Sequence, residues 1–151
     1  MTNRRRVTPD TPCAAGTLRR ASRSLARLYD ARLARAGLTT TQFSILRRLQ
    51  RRGGSIPLAE LADELVFERT SLYRALAPLR RARLVAVRAG RDRRAKEVAL
   101  TRRAERRIAE AMPHWIDAQQ AVLGRFGLAA WRDLAALVGD LTAMARAAAV
   151  E

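Results

Sequence analysis

Cysteine and histidine occur once each in the 151 residues, as Cys13 and His114, and lysine once, as Lys96. A single cysteine excludes an intrachain disulfide framework, and one cysteine with one histidine excludes a Cys/His zinc module held by one chain. The same scarcity leaves no cysteine or histidine partner for a nucleophilic pair. Neither a glycine-rich phosphate loop nor a paired-acid motif is present, so no catalysis, metal or cofactor is expected. Aromatic residues are only 5% of the chain, which argues against the stacking platforms that read single-stranded RNA. No apolar run approaches the roughly 20 residues of a membrane span. The opening residues, MTNRRRVTPDTP, are basic with no apolar segment behind them. No secretory signal is read there, and a soluble cytoplasmic protein is expected.

Acids are also scarce. Thirty basic residues, all but Lys96 arginine, face 14 acidic ones and leave a net charge of +16. Compositional bias explains arginine in place of lysine but not the twofold excess of base over acid. Such a surplus repels itself unless a polyanion offsets it, and nucleic acid does so with release of counterions. The length suits one domain or two intimately shared layers. Hydrophobic content is 48%, much of it alanine. That predicts a lean core and thin helix faces completed by a second subunit.

Residues 1–17 read as a flexible basic arm containing Arg4, Arg5 and Arg6. From Leu18 apolar residues recur at steps of three and four through Ala21, Leu25 and Leu28, and Gly37 ends the helix. Thr39 and Gln42 have the spacing of a capping box, and Leu38 and Phe43 that of a hydrophobic staple. The second helix runs to Gly53-Gly54. Ser55-Ile56-Pro57 reads as a short extended link. A compact helix follows with Leu58, Leu61, Ala62 and Leu65, then another with Leu72, Leu76 and Leu79 inward. The outer face of the latter carries Arg69, Thr70, Ser71, Tyr73, Arg74, Arg80 and Arg81. Two short helices with the second presenting polar and basic residues describe a helix-turn-helix. Leu84–Val87 and Val98–Leu100 alternate as strands around a glycine-containing turn, Arg88 to Ala95, crowded with arginine, which makes a basic hairpin, or wing. Thr101 caps a long helix containing Pro113, where a kink or a fresh turn is expected. Arg102, Arg103, Arg106 and Arg107 read as its solvated face. The last helix carries Trp131, Leu134, Val138 and Leu141 like a packing seam.

This order, and the segments Gly37-Leu38-Thr39, Gln42-Phe43-Ser44-Ile45-Leu46, Leu58-Ala59-Glu60-Leu61-Ala62, Arg69-Thr70-Ser71-Leu72-Tyr73-Arg74 and Asp92-Arg93-Arg94…Leu100-Thr101, resemble the MarR family of bacterial transcriptional regulators. The resemblance spans about residues 18 to 148. It implies a mainly α fold with a small β-hairpin wing: a winged helix-turn-helix over 38–101, and a helical dimerisation region over 18–37 and 102–151. Two departures stand out. Arg83 occupies a place where the family commonly has glycine, and Pro78 lies inside the presumed recognition helix, where a bend is expected.

The implied function is a homodimeric, sequence-specific repressor whose two recognition helices enter successive major grooves of a pseudo-palindromic operator, about 10 bp apart. Arg69, Thr70, Ser71, Tyr73 and Arg74 are the expected contacts there, with Arg74 reaching a guanine edge. At the wing Arg94 is expected in the minor groove, oriented by Asp92, with Arg91 and Arg93 on phosphates. The family also implies a small-molecule inducer, often an aromatic acid or phenol, with Tyr29, Phe43, Met112, His114 and Trp115 as candidate pocket residues. A core position is the better reading of each, because an apolar stripe at helical spacing needs no ligand to explain it. Some members sense peroxides through an N-terminal cysteine, and Cys13 stands before Arg19, Arg20 and Arg23. Redox sensing through Cys13 and non-specific architectural DNA binding are the alternative readings.

Overall fold

Four helix exits in this chain close with one hydrogen-bond pattern, and they set the path of the backbone through the molecule. In the computed structural model, which describes residues 8–90 and 95–149, the elements are α1 (Ala14–Leu33), a 3-10 turn (Ala34–Ala36), α2 (Thr40–Arg51), β1 (Ser55–Pro57), α3 (Leu58–Leu65), α4 (Arg69–Arg81), β2 (Val85–Ala89), β3 (Lys96–Leu100), α5 (Arg102–Phe126) and α6 (Leu128–Ala148). At each exit a residue in left-handed conformation turns the chain, and paired bonds reach back to the last carbonyls, as in a Schellman motif. Gly37 and Gly53 take that position before and after α2. Val66 (φ 54°) and Arg83 (φ 56°) take it after α3 and α4. Phe67 N–H reaches Ala62 C=O at 2.8 Å, and Leu84 N–H reaches Leu79 C=O at 2.9 Å.

Helix starts are equally local. Thr39 accepts from Gln42 N–H and Gln42 returns a bond to Thr39 N–H, so the capping box is formed. Leu38 and Phe43, the staple pair, are both buried. Thr101 Oγ1 accepts from Ala104 N–H at 3.2 Å and caps α5. α1 begins at Ala14, four residues ahead of its first periodic leucine, because Cys13 Sγ accepts from Gly16 N–H at 3.4 Å and the alanines between favour helix.

The core comprises one cluster in which Leu33, Ile45, Leu46, Leu49, Ile56, Leu61, Leu72, Leu76, Leu79, Val98 and Ile108 are fully buried. Burying each such aliphatic side chain stabilises the fold by about 1.5–3 kcal/mol before entropy is counted. Apart from Leu33 at the end of α1, the residues come from α2, α3, α4, the sheet and the first half of α5. No residue of α6 is buried, and Leu33 alone is buried in α1.

Four readings from the sequence change here. Ser55-Ile56-Pro57 is a strand rather than a link: it pairs antiparallel with β3, Ile56 opposite Val98, making a three-stranded sheet in the order β1-β3-β2. The hairpin is longer than its alternation suggests, pairing Ala89 with Lys96. α4 and α5 each run unbroken through their prolines, Pro78 and Pro113, so no fresh turn begins at Pro113. Arg107 also leaves the solvated face assigned to it, donating to Ala36 C=O at 2.9 Å. Among the described residues no helix is long and apolar enough to cross a membrane.

Candidate nucleic-acid interface

α4 sorts its side chains sharply. Leu72, Leu76 and Leu79 are buried in the core, while Arg69, Thr70, Ser71, Tyr73 and Arg74 are all exposed. The three leucines follow helical steps of four and three, and their burial forces the residues between them outward. All five residues expected on the recognition helix therefore share its free surface. Glu68 holds the N-cap position without a side-chain bond to the first turn. Pro78 withholds the donor that the Arg74 carbonyl would otherwise receive, one turn beyond these residues.

Beside α4 stands the wing. Gly90 N–H bonds to Ala95 C=O at 2.8 Å, closing the stem, and Arg88 pairs with Glu97 across the strands at 3.3 Å. Arg91, Asp92, Arg93 and Arg94, the expected wing-tip contacts, lie outside the described residues. Lys96, which sequence reading did not single out, places its Nζ 5.5 Å from the centre of the Tyr73 ring. That contact joins wing to helix, and nothing in sequence spacing signals it.

The candidate ligand residues do not converge as a set. Phe43 and Trp115 do meet, their ring centres 6.3 Å apart and tilted by 31°. Together with Ser44, Arg47, Arg48, Arg51 and Leu65 they line a cleft of about 260 Å³ between α2 and α5. Burial, and secondly the charge of Arg51, hold the Arg47 guanidinium below its usual pKa. Arg48 lies 3.4 Å from Glu64 Oε2. The arginines went unread as site residues, although Phe43, Arg47 and Arg51 recur at steps of four and so fall on one stripe of α2. Tyr29, Met112 and His114 do not line this cleft. Tyr29 and Met112 pack against the core, and Tyr29 donates to Gln119 Oε1. Burial raises the Tyr29 phenol pKa. His114 is half-buried on α5. Cys13 is exposed at the start of α1.

The MarR family model matches residues 36–95. The chain is similar to the transcriptional regulator MosR of M. tuberculosis, solved in complex with DNA, at 36% identity and a TM-score of 0.81, covering 91% of this chain and 98% of that one. It also matches AbsC, a MarR family regulator from Streptomyces coelicolor, at 22% identity and a TM-score of 0.75 over 97% and 99% of the two chains. A variant of E. coli MarR complexed with operator DNA matches in fold at 20% identity and a TM-score of 0.74, over 84% of this chain and 91% of that one. A search of curated proteins finds no match. With a winged helix-turn-helix formed, its reading face clear, and 36% identity to a DNA-bound regulator over 91% of its length, the chain belongs to the MarR family of DNA-binding transcriptional regulators.

Proposed function

We propose that this regulator is a homodimeric, sequence-specific repressor that reads a pseudo-palindromic operator and is released from it by a small aromatic acid or phenol. The observation that carries the reading is the outer face of α4, where Arg69, Thr70, Ser71, Tyr73 and Arg74 stand exposed above a leucine-anchored inner face. MosR, its relative at 36% identity, was solved with DNA bound. Residues 38–101 form the DNA-reading domain, and α1 with α5 and α6 the dimerisation region, placing two reading helices about 10 bp apart on one face of the duplex. A guanine contact from Arg74 contributes about 1–3 kcal/mol of discrimination. At the wing Arg94, oriented by Asp92, serves the adjoining minor groove, with Arg91 and Arg93 on phosphates.

The cleft holding Phe43 and Trp115 supports the inducer part of the reading. Two aromatic rings beside three arginines suit a flat anion, and the cleft lies where the DNA-reading domain meets α5. A ligand with greater affinity for a spacing of the two domains that cannot reach both grooves would release the operator.

The test is fluorescence titration, at one salt concentration, of a duplex carrying the region upstream of the gene against a scrambled duplex. Preference for the upstream duplex is expected, reduced about tenfold by Arg74→Ala. Equal affinity for the two would overturn specific repression and favour an architectural protein. Benzoate should weaken binding to the upstream duplex, and Arg47→Ala should blunt that effect. A Cys13→Ser variant that resists release by peroxide, where the parent does not, would transfer the switch to the thiol.

A further inference from the structure

Arg69 and Tyr73 lie four residues apart and so share one face of α4 at its first turns. Lys96, the first residue of β3, reaches that face from the wing. The β1–α3 junction supplies Pro57, Leu58 and Ala59 as a further wall, because β1 pairs with β3 and sets Pro57 opposite Glu97. These six residues, with Ala95, line an open groove of about 290 Å³.

Among the described residues no carboxylate cancels the charges in the groove: neither Arg69 nor Lys96 makes an ion pair. The acid next to Lys96, Glu97, is engaged by Arg88. A carboxylate holding Lys96 would neutralise it. An aromatic face holds it differently: the ring's negative face restrains the ammonium while its charge and N–H donors stay available to a second partner. Lysine suits such a site as a compact charge with rotatable donors, and every other basic residue of this chain is arginine.

We propose that Arg69 and Lys96 clamp one backbone phosphate of the DNA duplex, and that Tyr73 is a positioning residue that holds Lys96 in place rather than a reader of bases. The inference rests on the DNA-binding reading above. It makes the root of the wing a sequence-independent anchor that fixes register for Arg74.

The test uses the full-length protein and a fluorescein-labelled mixed-sequence duplex titrated across a salt series. Lys96→Gln should weaken binding about threefold to tenfold near 0.1 M salt, and lower the slope of log affinity against log salt by about 0.9, the contribution of one phosphate. Lys96→Arg should keep the slope. Tyr73→Leu should weaken binding in the parent but add nothing in the Lys96→Gln background, and an additive loss would overturn the positioning role. Acetylation by an N-hydroxysuccinimide ester, read peptide by peptide, marks Lys96 alone among side chains, and bound duplex should slow it. Unchanged affinity and slope in Lys96→Gln, or acetylation indifferent to duplex, would overturn the clamp. Failure of the parent to bind any duplex would instead defeat the DNA-binding reading beneath it.

Discussion

Val66 and Arg83 hold backbone conformations that a side chain disfavours, and they do so at the two turns that frame α4. An L-residue with a Cβ in the left-handed region is strained by about 1–2 kcal/mol, worst for a β-branched one. Glycines at 37 and 53 make the same turn without that cost. Val66 is 61% exposed, so little packing is lost on its removal. We expect Val66→Gly to stabilise the protein by about 1 kcal/mol, and Arg83→Gly by somewhat less, net of the freedom each glycine gains when unfolded. Urea titration checks this, and a lowered midpoint for Val66→Gly would contradict it. The strain at Arg83 was legible beforehand, because the motif around it resembles one in which glycine is usual. That at Val66 was not, since a valine between two apolar helices carries no turn signal of its own.

Thr101 is one point at which separate elements are tied together. Its hydroxyl caps α5, donates to Arg83 C=O at 2.8 Å and lies 3.2 Å from Leu84 C=O, so one side chain ties the exit of α4 to the start of β2 and of α5. Thr101→Val keeps the shape and loses all of this. It should destabilise by about 1–2 kcal/mol in urea titration, while Thr101→Ser stays near the parent, and a neutral valine variant would refute the role. Legibility at this scale follows distance along the chain. The caps at Thr39 and Thr101 span three residues and could be read directly. The strand at Ser55–Pro57 exists through partners some forty positions away, around Val98, and three residues cannot announce that pairing. A bend is expected at Pro78, and a kink or a fresh turn at Pro113; no fresh turn begins, and each helix continues because its apolar face is anchored on both sides, by Leu76 and Leu79 in α4 and by Ala111 and Ala118 in α5. The exposed face of α4 follows from its leucines, whereas nothing in the sequence marks the arginines of the α2 cleft, because Trp115 meets Phe43 only in the folded chain.

At the scale of the whole molecule, the chain leaves a large apolar area uncovered. Phe126, Leu128, Leu137 and Met144 are more than half exposed, Leu137 at 67%, and α6 buries nothing within one chain. A second copy is the occupant our reading assigns to this area, and the pair would bring twice the +16 charge to the duplex. Leu137→Glu leaves the core untouched, so it should yield a folded chain sedimenting with the mass of one copy where the parent sediments as two. A variant that remains paired would place the interface elsewhere. The account as a whole requires two copies of α4 to read bases in step. Selection of bound duplexes from a randomised library, followed by sequencing, tests that requirement most directly. The predicted result is an enriched two-fold symmetric motif with half-site centres about one helical turn apart, losing its guanine preference in Arg74→Ala. Recovery of unenriched sequence, or of a single unpaired half-site, would contradict it.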